Sequence, residues 1–136
     1  MQNPPPSQIA KSSTGLDENL AALLSYVMTW ITGIVFFVIE KSSRLVRFHA
    51  MQSILLGASW LVTFIVLWVA WIVLAIVLSQ VSEVLAGLVS LVMGLLFFVL
   101  GIGVFIGWVM CLIKAYQGQY FKLPIIGNFA EKFSAK

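Results

Sequence analysis

The chain has 136 residues, 61% of them hydrophobic and 10% charged, where soluble domains carry roughly 25% charged residues. That composition excludes an ordinary water-soluble domain, and the length suits one membrane domain. The net charge of +3 is spread over segment ends instead of one patch, so no nucleic-acid partner is expected.

Residues 1–13 contain Pro4-Pro5-Pro6 among Gln, Ser and Asn. Such a stretch cannot bury enough apolar area to offset its ordering entropy, so a disordered tail is expected over 1–13, with a single transmembrane domain over 14–136. Thr14 and Asp17 have capping-box spacing, and Asp17 and Glu18 suit the positive end of a helix starting there.

Three stretches without charged side chains follow, at 20–39, 54–78 and 84–113. As helices, even the shortest reaches about 30 Å, the thickness of a bilayer's hydrocarbon core. The expected fold is all-α, an integral membrane bundle of three transmembrane helices with a short amphipathic C-terminal segment. The first stretch lacks a signal peptide's basic flank and cleavage site, so it reads as an uncleaved anchor. Its Ser25, Thr29, Thr32 and Gly33 place a small, weakly polar stripe on one face.

The polar run 40–53 is the densest in the chain, and the second helix is expected to start near Ser43 or Arg44. Arg44, Arg47, His49 and Gln52 form a candidate cytoplasmic polar site. One reading is basic residues snorkelling to anionic inner-leaflet lipids. The other is a site where Arg47, His49 and Gln52 meet the C-terminal tail or a partner.

In the third stretch, Gly87, Gly94 and Gly101 recur every seven residues, and Gly103 and Gly107 form a G-x-x-x-G pair roughly opposite. Small residues let helices approach closely in lipid, so both faces are expected to have near neighbours, from this chain or another subunit. Mid-span Trp30, Trp68 and Trp71 should find Ser, Thr or backbone acceptors. Cys111, the single cysteine, reads as a small buried residue.

The segment 114–136 should lie at the cytoplasmic interface. Gly118 is placed to cap the third helix, Pro124 forces an extended stretch before it, and Asn128 is expected to cap a last short helix carrying Phe129 and Phe133. With three spans, Lys41, Arg44, Arg47, Lys114, Lys122, Lys132 and Lys136 share one side and Lys11 the other. That bias predicts a cytoplasmic C-terminus and an external N-terminus, in a bacterial cytoplasmic membrane.

No Asp, Glu, Lys, Arg or His lies within the three cores, which argues against an ion-coupled carrier. There is no zinc-protease helix, phosphate-cradling loop or nucleophile with a placed base, so no enzyme, cofactor or metal centre is expected.

Arg47-Phe48-His49-Ala50-x-Gln52-Ser53 and Tyr116-x-Gly118-x-x-Phe121-Lys122-Leu123-Pro124-Ile125-Ile126-Gly127 carry a resemblance. With Gly15-Leu16-Asp17-Glu18-Asn19-Leu20, they resemble an uncharacterised family of small bacterial membrane proteins. That family is similar to the Tic-type small subunit of the chloroplast inner-envelope protein translocon. The resemblance singles out Tyr116, Gly118, Phe121, Lys122, Pro124 and Gly127 as a tail motif. It implies a helix-packing or assembly component linked to protein or peptide translocation. Two other functions fit the residues: an oligomeric pore or carrier lined by Ser25, Thr29 and Thr32, and an immunity-type protein against a membrane-active peptide. Expected partners are the bilayer, a second copy and other membrane proteins.

Overall fold

The computed structural model describes residues 10–135. Five helices follow in order: α1 (Glu18–Leu24), α2 (Trp30–Ile39), α3 (Arg44–Ser79), α4 (Glu83–Tyr116) and α5 (Ile126–Ser134). The described residues form two compact units, 10–58 with 107–135, and Ser59–Ile106.

The first apolar stretch is not one helix. α1 has 7 residues and α2 has 10, about 10 and 15 Å of helix, so neither crosses a bilayer alone. Residues 25–29 turn between them, and Thr29 adopts a positive φ of 48°. Hydroxyl groups hold this break: Thr32 Oγ1 donates to Ser25 O at 3.1 Å, and Ser53 Oγ donates to Thr29 O at 2.7 Å. Short hydroxyl side chains compete with the helix for backbone partners, which explains why an apolar stretch rich in them breaks. The expected small-residue stripe is thus largely a device for turning. Among the described residues only α3 and α4 are long and apolar enough to span, which corrects the expected three-span bundle to two candidate spans.

α1 and α2 instead make a hairpin that returns to where it began. Ser43 Oγ donates to Glu18 Oε2 at 2.8 Å, and Ser13 Oγ donates to Glu40 Oε1 at 2.8 Å. The start of α1 and the end of α2 therefore meet the same loop. Ala10 to Ser13, part of the expected tail, are placed by Glu18 N donating to Ala10 O and by the Ser13 contacts; residues 1–9 lie outside the described residues.

Two glycines set the packing of α2 on α3. A Cβ on Gly33 would lie 2.9 Å from Ala50 O, and one on Gly57 would lie 2.8 Å from the Trp30 ring. α3 begins where expected, with Ser43 Oγ accepting from Val46 N at 3.3 Å as an N-cap. Two other expected caps differ. α1 starts after Asp17 without a side-chain cap, because Thr14 bonds to Ser12 instead. α5 starts after Ile125, which leaves Asn128 inside the helix. The core of the first unit gathers Ala21, Ala22, Tyr26, Val46, Cys111 and Ala115.

The second unit is the α3–α4 hairpin closed at Gln80 and Val81. Trp71 Nε1 donates to Ser90 Oγ at 3.2 Å, and the Phe64 and Phe97 rings lie 5.6 Å apart. Val62, Val66, Phe98 and Val99 are each at least 60% exposed. Water would not tolerate that apolar surface, and lipid suits it, because both helices satisfy their own backbone groups.

Candidate functional site

The first turns of α3 position three of the four polar residues expected to form a site, and all three reach the C-terminal segment. His49 Nε2 lies 2.9 Å from Gln119 O, and Nδ1 lies 3.1 Å from Tyr26 Oη. A carbonyl only accepts, so in the neutral ring Nε2 carries the proton and Nδ1 accepts from Tyr26. Gln52 Nε2 donates to Tyr26 Oη at 3.1 Å and to Phe121 O at 3.0 Å, while its Oε1 accepts from Leu123 N at 3.3 Å. The Gln52 amide therefore pairs with the extended tail as a neighbouring strand would. Tyr26, His49 and Gln52 are fully buried, and among the described residues no buried side-chain nitrogen or oxygen lacks a partner. Such a network, fully satisfied, fixes a unique arrangement of the tail on the bundle.

Arg47 acts on helix ends. Its Nη1 donates to Glu40 O at 2.9 Å and Phe37 O at 3.4 Å, and Nε donates to Ser134 O at 3.4 Å. Its guanidinium carbon sits 4.5 Å over the Phe37 ring. One cation thus meets carbonyls at the C-terminal ends of α2 and α5, where the helix dipoles are negative. Arg44 is not part of this buried network. It lines two open clefts, one with Glu18, Ser43 and Tyr120, the other with Lys41, Arg47 and Ser134.

Sequence reading passed over Glu40, which is closed from solvent. Its carboxylate accepts from Ser13 N and Oγ, Ser42 N and Oγ, and Ser43 N, at 2.8–3.1 Å. Burial pushes its pKa up, but these donors outweigh burial and hold it down at about 2. A charge held only by neutral donors ties residue 13 to the start of α3. The signal was present: Glu40 is the only acidic residue between the first two apolar stretches. Tyr120 is pushed up from its ordinary value, by burial first and by the nearby Glu18.

The tail residues divide by role. Gly118 closes α4 at φ +70°, with Gln119 N donating to Lys114 O and Gly118 N to Ala115 O, a Schellman arrangement. A Cβ there would also meet Asn19 Oδ1 at 2.8 Å. Phe121 supplies a carbonyl to Gln52, and Lys122 pairs with Glu131 at 2.6 Å. Pro124 O accepts from Ile126 N at 2.7 Å across Ile125, whose φ is +66°, a strained γ-turn. A Cβ on Gly127 would lie 2.7 Å from Lys122 Cα. Tyr116 is exposed.

The α4 glycines stand apart. Around Gly87, Gly94, Gly101 and Gly103 nothing lies within 4 Å of a built Cβ, and Gly107 meets only Leu123 at 3.8 Å. Between α2 and α3, the glycines this chain itself packs closely are Gly33 and Gly57, of which Gly57 was not singled out in the sequence.

Over residues 15–130 the chain matches the magnetosome magnetite crystal formation protein family. It is 43% identical over 127 residues to a UPF0132 membrane protein of Methanocaldococcus jannaschii, covering 93% of this chain and 96% of the relative. It is 38% identical over 117 residues to a UPF0132 membrane protein of Archaeoglobus fulgidus, covering 86% and 95%. A further M. jannaschii UPF0132 membrane protein is 33% identical over 119 residues, covering 88% and 71%. No solved structure matches. These matches overturn the resemblance to a bacterial, Tic-like group: the motifs around His49 and Gly118 fall within a different family, with archaeal relatives. The archaeal relatives are membrane proteins, in keeping with the apolar helices, and together they support a membrane location for this chain. The chain belongs to the magnetosome magnetite crystal formation protein family and has UPF0132 membrane proteins of archaea among its relatives.

Proposed function

We propose that the protein is a membrane-embedded assembly component whose α4 presents its glycine face to a second copy. One observation carries this reading. Gly87, Gly94 and Gly101, which share one face, have no neighbour within 4 Å of a Cβ position, whereas Gly33 and Gly57 are tightly filled. In lipid, close backbone approach at small residues drives helix association, and a seven-residue repeat suits two like helices crossing at a shallow angle. The UPF0132 relatives support the membrane setting and give no support to a link with protein passage. The pore reading loses its lining, since the Ser25 and Thr32 hydroxyls donate to backbone carbonyls of their own segment.

The sidedness of this reading follows from two crossings. If α3 and α4 each cross once, Arg44 and Lys114 share a side, and the hairpin of α1 and α2 keeps Lys11 and Lys41 there too. The intervening 80–82 turn has no basic residue. Every described Lys and Arg then lies on one side, which favours the cytoplasmic face for both ends of the chain and replaces the external N-terminus expected from three crossings. Reporter fusions at both ends should report the same face, and an insertion at residue 81 the other.

Cysteine crosslinking in native membranes tests the assembly face. In a Cys111→Ala background, Gly94→Cys should give a disulfide dimer and Val92→Cys, on the far side of the helix, should not. Equal crosslinking at both positions, or none at Gly94, would sink the reading.

A further inference from the structure

The second cleft at Arg44 lies outside the buried Tyr26, His49 and Gln52 network. It has a volume of about 380 Å³ and is lined by Lys41, Ser42, Arg44, Arg47, Ser134 and Ala135. Three of these six residues are cations. Among the described residues the one salt bridge is Lys122 to Glu131, so none of the three cations is paired with a carboxylate. The nearest acid in sequence, Glu40, has its carboxylate occupied by the Ser13, Ser42 and Ser43 donors. Arg47 is held in place by bonds from Nε and Nη1, which leaves the two N–H groups of Nη2 for a ligand. Lys41 and Arg44 are exposed and require no rearrangement to take part.

We propose that Lys41, Arg44 and Arg47 form a site for the phosphate of an anionic phospholipid headgroup. A fixed guanidinium offers the forked donors that phosphate oxygens accept, and Lys41 adds a point charge. The lipid source is argued from α5, whose last turn forms one wall of the cleft. Phe129 and Phe133 stack on that helix with centroids 6.5 Å apart, and both are exposed while Gly127 and Ala130 on the other side are buried. An amphipathic helix with exposed phenyl rings lies in a membrane interface, where acyl chains meet the rings and headgroup phosphates meet the cleft. A soluble phosphate would use the cations and gain nothing from the rings.

The test uses the full chain in nanodiscs of phosphatidylcholine mixed with phosphatidylglycerol, with retained lipid read by native mass spectrometry. Phosphatidylglycerol should be enriched over phosphatidylcholine, and Lys41→Gln with Arg44→Gln should cut that enrichment by roughly fivefold per charge removed. Lys114→Gln with Lys132→Gln removes the same charge from positions that do not line the cleft, and should leave the enrichment within about twofold. Equal losses in both double variants would overturn the site in favour of diffuse surface charge. Phosphatidylglycerol enrichment abolished by millimolar inorganic phosphate would overturn the lipid assignment and give the cleft to a soluble anion. Both double variants keep the buried Tyr26, His49 and Gln52 network intact, so a folding defect does not confuse the result.

Discussion

Tyr26 Oη lies 3.1 Å from His49 Nδ1, with both side chains fully closed from solvent. Tyr26 is in the turn after α1 and His49 in the second turn of α3, so this bond joins the returning hairpin to the first long helix. Because Tyr26 Oη also accepts from Gln52, which holds the tail at Phe121, one hydroxyl connects three segments. Tyr26→Phe removes that hydroxyl and strands a His49 acceptor and a Gln52 donor. The expected loss is about 1–3 kcal/mol of stability, read from tryptophan fluorescence during detergent unfolding. An unchanged midpoint would mean the network is not formed.

Backbone strain at Thr29 predicts a gain. A β-branched residue at φ +48° and ψ −120° occupies a region that suits glycine. The conformation persists because Ser53 and Gly33 hold the Thr29 carbonyl. Thr29→Gly should raise stability by about 1 kcal/mol, seen as a higher unfolding midpoint, if relief of strain exceeds the added chain entropy. A lower midpoint would show that the threonine methyl contributes more than the strain costs.

Glycines at two kinds of position should respond in opposite ways. Gly118→Ala meets both a left-handed φ and Asn19 Oδ1 at 2.8 Å, so a loss of at least about 1 kcal/mol is expected. Gly87→Ala, in open space within α4, should hold or raise the stability of the monomer by up to about 1 kcal/mol, since alanine favours helix. Unfolding midpoints of the two variants at high detergent-to-protein ratio, where the monomer dominates, check the contrast.

Glu40 predicts an acid limit. Its folded-state pKa of about 2 lies below the ordinary 4.5, so its contribution is fully present above about pH 4.5. Stability should fall as pH drops from there towards 2, where the folded-state carboxylate takes up a proton. Glu40→Gln should be less stable than the parent near pH 6 and should lose most of this acid dependence. Parallel slopes for the two proteins between pH 4.5 and 2.5 would rule out Glu40 as its source.

Much of the site was visible in one dimension. Arg47, His49 and Gln52 stood out because polar side chains are scarce here, and each one meets the C-terminal segment. Gly118 was readable as a cap because only a residue without Cβ reverses the chain cheaply at a helix end. Tyr26 and Glu40 were not readable. A tyrosine in an apolar stretch reads as part of a span, and a glutamate at its end reads as an interfacial charge, until a fold brings His49 and Ser13 against them.

Composition and hydropathy alone were enough to place this protein in a membrane as an all-helical chain, because transfer of apolar surface depends on residue type and not on partners. Whether an apolar stretch crosses or turns back was decided only in three dimensions. Residues 20–39 are long enough to span, but the hydroxyls of Thr32 and Ser53, bonded to the Ser25 and Thr29 carbonyls, hold a turn at Thr29 that hydropathy does not register. That turn is favourable only when α3 lies alongside to accept it at Gly33 and Gly57, a contact between residues far apart in the chain.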